Sequence, residues 1–222
     1  LFTRENLSIQ VHPNAIQAEA KGLTGGKDEC WYILSAEPDA VVGIGTARPL
    51  SAEELREASI SGAIEQLMTW YPARAGMLFH IPAGTVHCIG AGVSLIELQQ
   101  NVDVTYRLYD FGRNRGLHLD DGVAVSRAEP FPADQQRDVA PDESGLLLTN
   151  EHFALGQICG DSHWPWDAAG MGDQITIIPV VGNVMADGLT VGAGECALIR
   201  AESVLDMDAG TRAFVAWTKG RG

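Results

Sequence analysis

Leu7-Ser8-Ile9-Gln10-Val11-His12 alternates apolar and polar side chains and then stops at Pro13. A period of two marks a strand with one buried face. Leu7, Ile9 and Val11 share that face; Ser8, Gln10 and His12 share the other. Lys, Glu and Thr are commoner on a solvated strand face than Ser, Gln and His. An amide oxygen and an imidazole two positions apart on one face can bind one metal ion together. Taken alone, the stretch reads as an ordinary edge strand with a chance histidine. The rest of the chain changes that reading.

Asn14–Gly26 is polar and ends in Gly25-Gly26, which predicts a turn or short loop. Lys27–Leu34 predicts a strand whose period-two face carries Lys27, Glu29, Trp31 and Ile33. Lys27 follows a glycine, but the rest of the phosphate-loop spacing is absent and Asp28 comes next, so no such loop is read here. Val41–Gly45 is a further strand. Ser51–Met68 is the one helical stretch: Ser51 is an N-cap and Glu54 completes a capping box. Leu55, Ala58, Ile64 and Leu67 make its apolar face, and Gly62 is expected to split it in two.

Ala75–His87 predicts strand, tight Pro-Ala-Gly turn, strand, and Val93–Gln99 and Val104–Tyr109 follow as strands. The proline-bearing, acidic stretch Ala128–Ser144 has no apolar period and reads as a surface linker. Beyond it, Leu146–Thr149, Ala154–Cys159, Ile175–Val181, Gly182–Ala186, Leu189–Val191, Cys196–Arg200 and Ala213–Trp217 are strand-like, with Asp187-Gly188 as a hairpin signal. A weak repeat aligns Ala75-Gly76 with Ala193-Gly194. It then matches Ile81 with Ile199, Ala83 with Ala201, Val86 with Val204 and His87 with Leu205. Many short strands, two similar halves and little helix predict an all-β protein of jelly-roll or double-barrel type.

Composition narrows the function classes. The 222 residues are 45% hydrophobic and 20% charged, as in an ordinary globular protein with a substantial core. A net charge of −14 argues against a nucleic-acid partner, since phosphate backbones need clustered Lys and Arg. No apolar run approaches the roughly 20 residues of a membrane helix, so no membrane partner is expected. No signal-peptide pattern is read. The cysteines Cys30, Cys88, Cys159 and Cys196 form no CxxC pair. Free thiols and a cytoplasmic location are the expectation.

Gln10 and His12, two apart on one predicted strand, share inward-facing positions with Glu29 and His87 from distant strands. Two imidazoles, a carboxylate and an amide oxygen suit Zn²⁺, or Mn²⁺, Co²⁺ or Fe²⁺. A structural zinc site would more often use cysteines. A second cluster, Asp103, Thr105, Arg107 and Tyr109, is expected on one strand face. It is either a solvated face with a salt bridge or, if buried, a place where Arg107 binds a phosphate or oxyanion.

The segments LSIQVHP, GKDEC and IPAGTVHCIG, with the run from Glu97-Leu98-Gln99-Gln100 through Asp103 to Tyr106-Arg107-Leu108-Tyr109-Asp110, resemble type I phosphomannose isomerases of the short bacterial form, over about Leu7 to Asp120. That resemblance implies a cupin fold: a metal-binding catalytic domain at 1–127 with the helical insertion 51–68, a linker at 128–145, and a metal-free cupin-like half at 146–222. It implies zinc, one ion per chain, on Gln10, His12, Glu29 and His87, an essential Arg107, and active-site roles for Lys27 and Asp103. The implied reaction interconverts mannose 6-phosphate and fructose 6-phosphate through an enediol, so the partner is a small sugar phosphate. Lys27, Arg107 and, more remotely, Arg113 or Arg115 are the cations available to its phosphate.

The chain also departs from the family. Long-form members carry a histidine where Gly26 stands, and family members have several dozen residues before the QVHP strand, where nine precede Gln10 here. His152 and His163, isolated in sequence, are read as ordinary histidines. Two other classes use the same donors: an Fe²⁺ cupin oxygenase, which has no need of Gln10, Lys27 or Arg107, and a non-catalytic sugar-binding cupin.

Overall fold

The computed structural model describes residues 1–160 and 172–219, so His163 lies outside the described residues. The chain forms two compact units, Leu1–Asp138 and Val139–Gly222. The first runs β1 (Ile9–Val11), α1 (Ala15–Glu19), β2 (Glu29–Ala36), β3 (Val41–Thr46), α2 (Ala52–Ser61), α3 (Ile64–Leu67), β4 (Met68–Pro72), β5 (Met77–Ile81), β6 (His87–Ile89), β7 (Val93–Gln99), β8 (Tyr106–Tyr109), α4 (Leu119–Val125) and β9 (Gln136–Asp138). Its strands build a five-stranded sheet, β4-β3-β6-β1-β8, and a four-stranded sheet, β7-β2-β5-β9.

Alternation explains the layering. From the five-stranded sheet, Ile9, Val11, Cys88, Tyr106 and Leu108 pack against Leu55, Ala58, Ile64 and Val125 of the helices. Its other face contributes Val42, Ile44 and Ile89 to a second core with Trp31, Ile33, Phe79, Ile81 and Leu95 of the four-stranded sheet. The five-stranded sheet is thus covered on both faces, and each large apolar side chain buried contributes ~1.5–3 kcal/mol. Gln10, His87 and Arg107 alternate with the helix-facing residues and therefore point between the sheets.

The capping signals form as expected. Ser51 accepts from Glu54 N, the Glu54 side chain accepts from Ser51 N, and Gly62 ends α2 in the left-handed region. The expected loop at Asn14–Gly26 instead contains α1, held by a capping box of Asn14 and Gln17. Met68, expected to close the helix, opens β4, which pairs with β3. Helix α4 was not legible in the sequence because it is short and contains Gly122. That glycine lies so close to Leu108 that an added Cβ would come within 2.7 Å of it. Within the proline-bearing stretch, β9 pairs with β5 and belongs to the first unit.

The second unit runs β10 (Gly145–Thr149), β11 (Phe153–Cys159), β12 (Gln174–Val181), β13 (Asn183–Ala186), β14 (Leu189–Gly192), β15 (Ala197–Arg200), β16 (Leu205–Met207) and β17 (Arg212–Thr218). They make sheets β10-β11-β17-β12-β15 and β14-β13-β16 around Ile158, Ile177, Val184 and Val215. Asp187 and Gly188 have φ of 49° and 84°, the two positive values of the hairpin turn their sequence predicts.

The repeat is visible in backbone detail. Met77 N donates to Arg74 O and Glu195 N to Gly192 O; Thr85 N donates to Pro82 O and Ser203 N to Arg200 O. Each pair of bonds occupies aligned positions of the two copies. His87 opens β6, and Leu205 opens β16 in its place. No described helix is long and apolar enough to cross a membrane.

Candidate metal and active site

A row of side chains crosses the inner face of the five-stranded sheet. The register pairs Ile44 with His87, His87 with Gln10, and Gln10 with Arg107. Directly paired residues on antiparallel strands project to the same side, and neighbouring strands lie ~4.8 Å apart. Gln10 therefore sits beside His87, with Arg107 one strand further. His12 follows β1 on the same side as Gln10. From the facing sheet comes Glu29, the first residue of β2. Two positions on, Trp31 meets the His87 ring edge-on at 5.5 Å.

The donor atoms of His12, Glu29 and His87 all lie within 4.8 Å of one another, and all three residues are buried. His12 Nε2 is 3.2 Å from Glu29 Oε1, and His87 Nε2 is 3.6 Å from Glu29 Oε2. His12 Nδ1 is 2.8 Å from Val104 O, and His87 Nδ1 is 2.9 Å from Thr85 O. A carbonyl only accepts, so each Nδ1 carries the proton and each Nε2 offers its lone pair to the centre of the cluster. Burial pushes the His87 imidazole down to about 4, which keeps it neutral at pH 7, the form a metal requires. Burial works the other way on Glu29. The neighbouring His12, His87 and Lys27 side chains together outweigh it and hold the carboxyl well below the usual carboxylate range.

His12 Nε2 and both Glu29 oxygens are buried without a hydrogen bond of good geometry. Leaving such groups unsatisfied is costly, and a divalent cation among them would satisfy all three at once. The donor set fits one. Gln10 lies at its edge, with Nε2 3.3 Å from His87 Nε2 and Oε1 accepting from Ser8 Oγ at 3.0 Å. Turning this amide by half a rotation would present Oε1 to the cluster and leave Nε2 to donate to Ser8 Oγ.

Lys27 is buried beside the cluster, with Nζ 3.0 Å from Glu29 Oε1. Gly26 before it has no room for a side chain: a Cβ there would lie 2.6 Å from the backbone of Asn14 and of Ala15. Arg107 donates from Nη1 to Gly116 O at 2.7 Å, and its Nε is buried without a partner. The expected face of Asp103, Thr105, Arg107 and Tyr109 does not run unbroken. The β1–β8 register shifts between Ile9 and Gln10, so Tyr109 lies opposite Ile9 and packs on the helix side. Asp103 is exposed in the segment before β8. Arg113 and Arg115 both bind the buried Asp110, Arg115 through Nε and Nη2 at 2.7 and 2.6 Å, so neither is a loose loop charge.

One candidate emerges only from the structure. Glu97 pairs with Trp31 across β7 and β2, and its Oε1 accepts from Trp31 Nε1 at 3.1 Å. Burial, then the charge of Glu29, pushes its carboxyl up to about 7. The signal in the sequence was a carboxylate continuing the period-two face of Val93 and Leu95, both of which are core residues.

Two facing sheets, helices on the outer side and a buried His/Glu/His cluster between the sheets define a cupin-type β protein with a candidate metal centre. By sequence the chain is homologous to mannose-6-phosphate isomerases. It is 44% identical over 126 residues to that of Streptococcus mutans, covering 54% of this chain and 39% of the relative. It is 38% identical over 165 residues to that of Bacillus subtilis, covering 69% and 51%. The chain spans about half the length of the curated relatives it matches.

The solved mannose 6-phosphate isomerase of Bacillus subtilis superposes with a TM-score of 0.72 at 23% identity, over 96% of this chain and 72% of that one. A variant of phosphomannose isomerase from Salmonella typhimurium gives 0.68 at 16% identity, over 99% and 78%. At these identities the likeness to the solved structures is one of fold. No protein-family model matches the chain.

Proposed function

We propose that this chain is a metal-dependent aldose–ketose isomerase that interconverts mannose 6-phosphate and fructose 6-phosphate through an enediol. The observation that carries the reading is the convergence of Gln10, His12, Glu29 and His87, in a chain whose relatives are named mannose-6-phosphate isomerases. Those four side chains would hold one Zn²⁺, which would supply Lewis-acid polarisation of the sugar oxygens at C1 and C2.

The remaining steps belong to the chain's own residues. Negative charge builds on oxygen as the proton leaves C2, and Arg107, paired with Gln10 across β1 and β8, would be the cation that stabilises it. Glu97, with its carboxyl pushed up to about 7, can hold or release a proton near neutral pH. Lys27 stands next to the ligand Glu29 and can exchange a proton with a sugar oxygen or grip the phosphate. The exposed Asp103 is a less direct acid–base candidate than Glu97. With a net charge of −14, long-range attraction of a phosphorylated sugar is weak, so binding depends on local cations such as Lys27 and Arg107. Among the described residues, Cys30, Cys88, Cys159 and Cys196 form no disulfide, in keeping with work in the reducing cytoplasm.

Metal analysis combined with a coupled assay on mannose 6-phosphate tests the reading. One bound metal per chain with fructose 6-phosphate formed supports it. Oxygen uptake with bound iron, or sugar binding without turnover, would replace it.

A further inference from the structure

The turn Pro82-Ala83-Gly84-Thr85 ties together the segments that carry the three clustered donors. Thr85 N donates to Pro82 O at 3.1 Å, and Gly84 has φ of +87° at the third turn position, which defines a type II turn with Ala83 second. Gly84 N–H donates to the carbonyl of His12 at 2.8 Å. Thr85 O accepts the Nδ1–H of His87. Ala83 N–H donates to Asp28 Oδ1 at 2.9 Å. Asp28 stands between Lys27 and the ligand Glu29, so any shift of Asp28 moves both.

Its backbone is held from the other side. Asp28 N donates to Gln100 Oε1 and Gln100 N to Asp28 O, both at 3.0 Å. Its second carboxylate oxygen lies 3.6 Å from His80 Nε2, and His80 Nδ1 meets Gln135 Oε1. An N–H bound to a carboxylate is charge-assisted and stronger than a neutral pair.

We propose that Asp28 is a positioning residue for the metal site: its carboxylate locks the Ala83 turn to the start of β2 and so sets Glu29 against His87 and His12. The proposal rests on the metal-site reading above. Groups that orient metal ligands typically cost ~10–100-fold in affinity when removed.

The test is Zn²⁺ titration of the full chain against a chromophoric chelator, with the visible spectrum of the Co²⁺ form. Four variants are compared: Asp28→Ala, Asp28→Asn, Ala83→Pro, and Asp28→Ala combined with Ala83→Pro. Asp28→Ala is expected to weaken Zn²⁺ binding ~10–100-fold and to alter the Co²⁺ spectrum. Asp28→Asn keeps an acceptor for Ala83 N–H and should stay near wild type. Proline suits the second position of a type II turn, so Ala83→Pro deletes the one N–H and should match the loss in Asp28→Ala.

Because the two changes remove the same bond, the double variant should lose no more than either single one. Folded Asp28→Ala and Ala83→Pro proteins with wild-type affinity, whatever their melting temperatures, would overturn the proposal. If Asp28→Ala does not fold, Ala83→Pro decides. A wild-type chain that takes up no metal overturns the site reading and this proposal together, whereas normal wild-type uptake with unaffected variants overturns the proposal alone.

Discussion

Each histidine of the cluster gives one ring nitrogen to a backbone carbonyl so that the other faces the centre. That division of labour leaves His87 Nε2 able to serve as the proposed metal ligand. His87→Ala should lose the bound metal, read by elemental analysis, while circular dichroism shows a retained fold. Full metal content in that variant would remove His87 from the site. Arg107→Ala should lower kcat by ~10²–10³ with metal content unchanged, because a fixed charge-stabilising donor is lost. If Arg107 holds only the phosphate, KM rises and kcat is kept. Glu97→Gln should cut kcat with metal content intact, as expected for a proton carrier removed from a formed site.

At this scale the sequence was legible where chemistry and alternation coincide in one strand, as for Gln10 with His12 and for Lys27 with Glu29. It was less legible where the meaning comes from a distant partner. Nothing local to Glu97 announces Trp31 Nε1. Nothing in the Asp110–Arg115 stretch says that both arginines turn back onto Asp110.

Elements with their own local signals were read correctly. Helix α2 announces itself through Ser51 and Glu54, and Ser51→Ala should cost ~1 kcal/mol in denaturant unfolding because the N3 amide loses its acceptor. Helices α1 and α4 carry too little apolar period to be seen, and the shift in the β1–β8 register is a tertiary event that turned Tyr109 away from Arg107. The loop after β8 is fastened by Asp110. Hydrogen bonds from Arg115, assisted by Arg113, hold its carboxyl below the usual range against the opposing effect of burial.

A carboxyl depressed in the folded state adds stability that is fully present above the unfolded value of ~3.9 and is lost as pH falls through the lower folded value. Unfolding followed against pH should therefore show a loss in the wild type below about pH 4 that is smaller in Asp110→Asn. A variant with an unchanged acid profile would show that the arginine clamp is energetically idle.

Across the whole chain, two strand–turn–strand copies share turn bonds at aligned positions, yet only the first places a histidine where β6 begins. The skeleton survives in the second copy because turn hydrogen bonds and apolar strand positions maintain it, and the donors do not. If the first unit holds the metal, binding must stabilise the fold by linkage, by ~2.7 kcal/mol at a free metal concentration one hundred times Kd. Thermal melting with and without Zn²⁺ should show that shift in the wild type and none in His87→Ala.

On the proposed function, the site turns over mannose 6-phosphate only when its metal is bound. The most direct measurement is the rate of fructose 6-phosphate formation as Zn²⁺ is added back to metal-depleted chain. No rate is expected without metal, followed by a linear rise and a plateau at one equivalent per chain. A rate independent of metal, or no turnover at full loading, would contradict the proposed function.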